Sequence, residues 1–376
     1  MKIALVCHQY TLAKGGLERD TVFLSRELFK VGHEVHVFAN RWDHEPGIVF
    51  HRVPMFRLSS PGKNLSFAWF ATRKLSGMRF DVVQSMDRIL YQDIFRVSDG
   101  INPVQMLQRY PNSLVRKLKA IGPRRLALSY LEHRIFKAGG CMVILAISQI
   151  IKRQIIDHYG VNPQKVEVIY NGVDTSTFYP GVKDKYGKTI REKHRIQHNE
   201  IVLLFISNDH KRKNLQSVLE AIRLLKDNKF RLMVVGDNNI APYKKWAAGK
   251  GVERQIMFTG PIRNIEQYYG ASDIFVFPTH YDAFGNVCLE AMACGLPVIT
   301  SRTCGASELI QDGENGFIIS ANDTRALADK ISSLESVSRR LELGKNAADT
   351  AGHYTMQNHM TRIQSLYDRV INEKSS

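Results

Sequence analysis

The stretch from Ala271 to Thr300, ASDIFVFPTHYDAFGNVCLEAMACGLPVIT, leaves the chain few folds to choose from. Ile274 to Phe277 is a short apolar run of β-formers closed by Pro278, which reads as a buried parallel strand. A loop holding His280, Tyr281 and Asp282 follows, and Gly285 with Asn286 then opens a short helix carrying Glu290. Gly295 ends that helix, and Pro297 begins a second strand through Val298 and Ile299. Strand, loop, helix and strand in this order make an α/β unit. Open α/β folds bind their ligands at the carboxyl ends of such strands.

The residues at that end suit a phosphorylated, hydroxyl-rich ligand. A helix start offers backbone N–H groups and a partial positive charge, so the amides of Phe284, Gly285, Asn286 and Val287 could hold a diphosphate. Asp282 and Glu290 would accept hydrogen bonds from sugar and ribose hydroxyls. On the residues alone, Asp282 as a helix cap and Glu290 on a solvated face read equally well.

The same stretch resembles the E-x7-E region of the retaining group 1 (family 4) glycosyltransferases, E-G-F-G-x-x-x-x-E-A-M-A-x-G-x-P-V. It stands here as Asp282, Ala283, Phe284, Gly285, Glu290, Ala291, Met292, Ala293, Gly295, Pro297 and Val298. Aspartate replaces the first glutamate and alanine the glycine after it, so the contact to a donor sugar is shortened by one methylene. The resemblance implies a GT-B fold, two Rossmann-like β/α/β domains facing each other across a cleft. It implies domains at 1–172 and 173–356, with 357–376 as a helix crossing back to the first domain.

With 376 residues, 44% apolar and 23% charged, the chain is long enough for two cores of about 180 residues each. The five cysteines show no metal-ligand spacing, and the short run Met1 to Cys7 reads as a first strand and not a leader, so a reduced, cytoplasmic setting is expected. No apolar stretch approaches the roughly 20 residues of a spanning helix. The net charge of +16 points to an anionic partner.

In the first half, strand Ile3 to Cys7, Gly15-Gly16, the amphipathic helix Leu17 to Lys30 and strand Glu34 to Ala39 form another strand, turn, helix, strand unit. It lacks a dinucleotide fingerprint. Lys14 to Arg19 resembles the family's K-G-G-x-E/Q-R loop, which implies that Gly15 and Gly16 let the backbone approach the donor diphosphate. Ser59 to Asn64 reads as a polar turn and Leu65 to Leu75 as a helix. After the strand Asp81 to Gln84 the chain turns polar, which reads equally as an acceptor loop with Asp93 and Asp99 as its carboxylates or as loop caps and surface charges.

From Arg109 to Lys137 eight basic residues face one acid, Glu132, with apolar and aromatic residues interleaved. Such a segment lies on an anionic bilayer surface, or forms a solvated face on a core helix. Nucleic acid is not expected, since no helix-turn-helix, zinc-finger or RNP pattern accompanies the charge. Val166 to Phe178 resembles the family's interdomain V-I-x-N-G-V-D-x-x-x-F, with Gly181 to Asn199 read as linker.

The second half opens on strand Ile201 to Ile206 and a basic loop, Asn208 to Asn214, a natural phosphate clamp. It is similar to the family's G-R-x-x-x-x-K-G, with Lys213 at the lysine and Asn208 where arginine is usual, so Arg212 or Lys211 would make up the charge. Arg263, after strand Gln255 to Phe258, falls where relatives hold the nucleobase.

Taken together, the resemblance implies hexosyl transfer from a UDP-sugar, glucose above all, with retention, to a lipopolysaccharide-core or other lipid-linked glycan. The sequence has no D-x-D flanked by apolar residues and no metal-spaced histidine and carboxylate cluster, so metal-independent transfer is expected. Lys213 and Asp282 would act at the reacting bond with Asp93 and Asp99 on the acceptor. Gly15, Gly16, Arg212, Lys213, Arg263, Phe284, Gly285, Asn286 and Glu290 would hold the donor. No cofactor beyond the donor is implied, and the protein would sit peripherally on the cytoplasmic face of the inner membrane through Arg109 to Lys137. The other readings are a nucleotide-sugar 2-epimerase of the same fold and a non-catalytic anionic-surface binder.

Overall fold

The computed structural model describes residues 1–12, 16–56, 59–236 and 239–375. The chain divides into two compact units, Met1–Tyr170 with His359–Ser376, and Asn171–Asn358.

In the first unit the strands are β1 (Lys2–Val6), β2 (Glu34–Ala39), β3 (Val49–Arg52), β4 (Val82–Ser85), β5 (Ile94–Val97), β6 (Val143–Ala146) and β7 (Val166–Val168). They form one sheet in the order β3-β2-β1-β4-β5-β6-β7, every neighbouring pair parallel. In the second unit β8 (Ile201–Ser207), β9 (Phe230–Gly236), β10 (Ile256–Gly260), β11 (Ile274–Phe277), β12 (Val298–Ser301) and β13 (Gly316–Ile319) run β10-β9-β8-β11-β12-β13, again all parallel. Both orders reverse direction once, beside β1 and beside β8. Each unit is therefore a Rossmann-like doubly wound sheet with one topological switch point. The central strands are apolar almost without alternation, as burial on both faces requires.

Three elements depart from the sequence reading. The run around Asp93 contains a buried strand, β5, although Arg96 lies within it; that guanidinium is paired at 3.1 Å with Asp20. The polar turn at Ser59 is the start of the helix Ser60–Ser76. Ser59 caps it by accepting from the Gly62 N–H at 3.2 Å, and Pro61 sits in the first turn, where no N–H is needed. The charged stretch after Gly181 is not an open linker but the helix Val182–Lys193, buried through Val182, Gly187 and Ile190. Its Gly187 is obligatory, because a Cβ there would come within 2.7 Å of the Gly270 carbonyl oxygen.

The last helix, Met356–Ser375, places Met360, Ile363, Leu366, Tyr367 and Val370 in the core of the first unit beside Ile3, Leu5, Val35 and Val37. Its Tyr367 hydroxyl donates to Gln84 Oε1 at 2.8 Å, and Lys374 Nζ reaches Asp93 Oδ2 at 3.0 Å.

Candidate functional site

In the second unit the switch point lies between β8 and β11, and the loops after these two strands carry the predicted donor residues. The β8 loop is held by its own polar groups: Asp209 N–H donates to Ser207 Oγ at 2.8 Å, Arg212 N–H to Asp209 Oδ1 at 3.1 Å, and Lys213 N–H to the Asp209 carbonyl at 3.0 Å. Asn214, at φ +63°, turns the chain into the helix Leu215–Leu225. This folding carries the Lys213 side chain inward, where it is 8% exposed and its ammonium lies 5.1 Å from the Phe277 ring centroid.

The β11 loop comes to meet it. Lys213 Nζ pairs with Asp282 Oδ2 and donates to the Tyr281 carbonyl at 3.3 Å, while Arg212 Nη1 donates to the same carbonyl at 3.2 Å. His280 N–H donates to the Arg212 carbonyl at 3.0 Å, so backbone and side chains both tie the loops together. The other Asp282 oxygen accepts from the Phe284 N–H at 3.2 Å. Two consequences differ from the sequence reading. The Phe284 amide is occupied by Asp282, and the Phe284 side chain is buried core, so this residue offers no donor to a ligand in this state. Asp282 is not an open sugar hook but the counterion of the clamp lysine.

The helix Asn286–Ala293 begins directly beyond. Gly285 enters it at φ +93°, and a Cβ at that position would stand 2.6 Å from Cys304 Sγ, so only glycine closes this turn. Asn286 Oδ1 accepts from Asn171 Nδ2 at 2.7 Å. One turn on, Glu290 Oε2 accepts from the Tyr269 hydroxyl at 2.8 Å; burial pushes that phenol well up, and the Glu290 charge adds to the shift. Arg263 is exposed in the turn after β10, at the same carboxyl end of the sheet. The structure thus brings Arg212, Lys213, Asp282, Phe284, Gly285 and Asn286 to one place with Glu290 close behind. Both cations are paired, Arg212 Nε with Asp209 Oδ2 at 3.0 Å and Lys213 with Asp282, so an anionic ligand such as a diphosphate enters beside the helix start by displacing a carboxylate.

The remaining predicted residues lie in the first unit. Gly16 is exposed and starts the helix Gly16–Lys30; Gly15, with Lys14, lies outside the described residues. Asp99 is 59% exposed, two residues past the carboxyl end of β5, with Arg88 Nη2 at 3.7 Å. Asp93 is a correction. It precedes β5 at the amino end, is buried, and its carboxylate accepts from the Val83 N–H at 2.7 Å and from Lys374. It joins strand to strand and sheet to last helix, away from the carboxyl ends where ligands bind.

Sequence reasoning missed a pair at the first unit's own switch point. His8 follows β1 and Asp87 follows β4, and His8 Nδ1 lies 2.5 Å from Asp87 Oδ1, with the His8 N–H donating to Oδ2 at 2.6 Å. Burial would raise the Asp87 carboxyl, but the His8 imidazole and backbone and the Arg88 charge together hold it below the usual range. The available signal was positional: a histidine and an aspartate each two residues past the carboxyl end of a strand.

Two Rossmann-like units with a helix-start site at the carboxyl end of the second sheet are the GT-B fold class. The chain belongs to the group 1 (family 4) glycosyltransferases: residues 14–177 match the Glycosyltransferase Family 4 model, and residues 187–350 match Glycosyl transferases group 1. It is 23% identical over 362 residues to the lipopolysaccharide glucosyltransferase WaaG of Escherichia coli strain K12, covering 94% of each chain. Over 239 residues it is 29% identical to a D-inositol 3-phosphate glycosyltransferase of Geodermatophilus obscurus, covering 60% of this chain and 52% of that protein. A crystal structure of WaaG matches with a TM-score of 0.83 at 21% identity, over 97% of this chain and 99% of that one. The structure of Anabaena HepE in complex with UDP-glucose matches at 0.76 and 18% identity, over 98% and 100%.

Proposed function

We propose that this glycosyltransferase moves a hexose, glucose, from a UDP-sugar to a hydroxyl of a lipopolysaccharide-core or other lipid-linked glycan, with retention of the anomeric bond and without a metal ion. The observation that carries the reading is the convergence of Arg212, Lys213 and the Asn286 helix start on one point, with Asp282 against the lysine. An arriving diphosphate competes with Asp282 for the Lys213 ammonium. The lysine then stabilises charge developing on the leaving phosphate, and the released carboxylate accepts from hydroxyls of the donor sugar. Glu290 holds the ribose. The full-length likeness to a lipopolysaccharide glucosyltransferase supports the acceptor class, and that to a UDP-glucose complex supports the donor.

The protein would work at an anionic membrane surface. Among the described residues no helix is long and apolar enough to cross a membrane. The helix Ser113–Ala120 buries none of its residues and exposes Leu114, Val115 and Leu118, with Arg116, Lys117 and Lys119 beside them. That composition suits an interfacial helix on acidic lipid.

The test is transfer from radiolabelled UDP-glucose, in EDTA, to lipopolysaccharide truncated at the inner core. One added glucose in α linkage supports the reading. Transfer to inositol phosphate alone would replace the acceptor, and a requirement for divalent metal would overturn the metal-free mechanism.

A further inference from the structure

The first unit holds a second cationic site that the donor chemistry does not use. A cavity of about 230 Å³ opens between the helices Asn102–Arg109, Ser113–Ala120 and Pro123–Phe136, lined by Arg109, Lys119, Arg124 and Arg125 with Tyr110. No carboxylate lines it, and among the described residues none of the four cations enters an ion pair; the one acid of the region, Glu132, is committed to Arg88. Arg125 is half-buried and donates through Nη1 to a neutral acceptor, Asn102 Oδ1, at 2.7 Å. Burial, and then the Arg124 and Arg109 charges, hold its guanidinium below the usual value. Four like charges around one cavity repel one another unless an anion sits among them.

The cavity is a built part of the helices. Asn112 caps Ser113–Ala120 by accepting from the Leu114 and Val115 amides at 3.0 and 3.2 Å, and Arg116 Nη1 donates to the Tyr110 and Pro111 carbonyls, both at 3.0 Å. These bonds fix the turn between the first two helices, and with it the positions of Arg109 and Lys119. Its surroundings are apolar as well as basic. Leu118 precedes Lys119 and Ile121 follows Ala120, Leu126 follows Arg125, and all three are exposed, Leu118 and Ile121 by 69% and 67%. A site for a free solute needs no exposed apolar rim, whereas a headgroup site at a bilayer surface does.

We propose that this cavity binds the phosphate monoester headgroup of a membrane lipid, with the apolar residues around it entering the lipid layer. Two guanidiniums can grip the oxygens of a terminal phosphate in parallel pairs, which a phosphodiester, with fewer free oxygens and one charge, does not satisfy equally. The site rests on the membrane reading above but asks more of it, a preference among acidic lipids at equal charge.

The experiment is co-sedimentation of the full chain with vesicles of phosphatidic acid or phosphatidylglycerol matched in surface potential, at a pH alkaline enough for the monoester to carry its second charge, whose pKa the neighbouring lipid charges raise. Soluble glycerol 3-phosphate serves as competitor. The expected result is about fivefold tighter binding to phosphatidic acid. Arg125→Gln and Lys119→Gln should each remove that preference while keeping most phosphatidylglycerol binding, and Arg125→Lys should restore part of it. Lys119 is exposed and its replacement leaves the fold intact, which guards against misreading an unfolded Arg125 variant. Equal binding to the two lipids overturns the site while leaving general membrane attraction standing. Binding to phosphatidic acid alone keeps the site and removes the general attraction, and binding to neither removes both. Competition by glycerol 3-phosphate without any lipid preference assigns the cavity to a soluble phosphate and overturns the lipid source.

Discussion

At the scale of single residues, Lys213 carries most of the account, and its contacts were the part hardest to see in the sequence. The lysine and Asp282 are 69 positions apart, and two separate motifs each gave a charge without saying that they meet. Lys213→Ala should cost about 2 to 3 kcal/mol of donor affinity, a 30- to 150-fold loss, with turnover falling alongside. Unchanged steady-state kinetics in that variant would remove the clamp. Asp93 shows the opposite failure. Its residue type suggested an acceptor group, but only the direction of β5 reveals that it sits at the wrong end of the sheet.

A second residue sets a pH dependence. His359 Nδ1 lies 2.8 Å from the Tyr170 carbonyl oxygen, and burial, then the Arg96 charge, push its imidazole down to about 4. Its ordinary value is about 6.5, so below that pH the unfolded chain takes up the proton that the folded chain refuses. Stability is therefore full above about 6.5 and falls as pH drops toward 4, by about 3 kcal/mol from this group. Urea unfolding followed across that window should show the slope, and His359→Asn should flatten it. Parallel profiles for the two proteins would mean that another group is responsible.

Among elements, the strands with unbroken apolar runs, β8 and β11, were legible, because burial on both faces leaves no other composition. β5 was not, since Arg96 within it is neutralised by Asp20, a partner 76 positions away. The helix Val182–Lys193 was hidden by its charges. It is fixed by Gly187 against Gly270 and by Arg191, whose guanidinium reaches the Ala271 and Glu200 carbonyls and Asp273. Gly187→Ala should destabilise the chain by about 1 to 3 kcal/mol through overpacking, visible as a lower melting temperature. A melting curve identical to that of the parent would contradict the close approach. The last helix is a structural part of the first unit: Leu366→Ala should cost about 2 to 5 kcal/mol. Chemical denaturation gives that figure directly, and a cost below about 1 kcal/mol would mean the helix is not core.

For the whole molecule, two Rossmann-like units and family membership follow from sequence pattern and fold together, while the identity of donor and acceptor depends on a few side chains whose partners lie far away in the chain. The +16 charge belongs at this scale too. Part of it is local, on the helix Ser113–Ala120, which buries none of its residues, and around the adjoining cavity, and so is available to a surface instead of being spent on internal pairing. The donor site, however, is built on Lys213 and the Asn286 helix start. The most direct measurement is calorimetric titration of UDP-, GDP- and ADP-sugars, in EDTA, into the parent protein and Lys213→Ala. Selective binding of UDP-glucose to the parent, lost or much weakened in the variant, is the predicted result. Equal affinity in both proteins, or no binding of any sugar nucleotide, would contradict it.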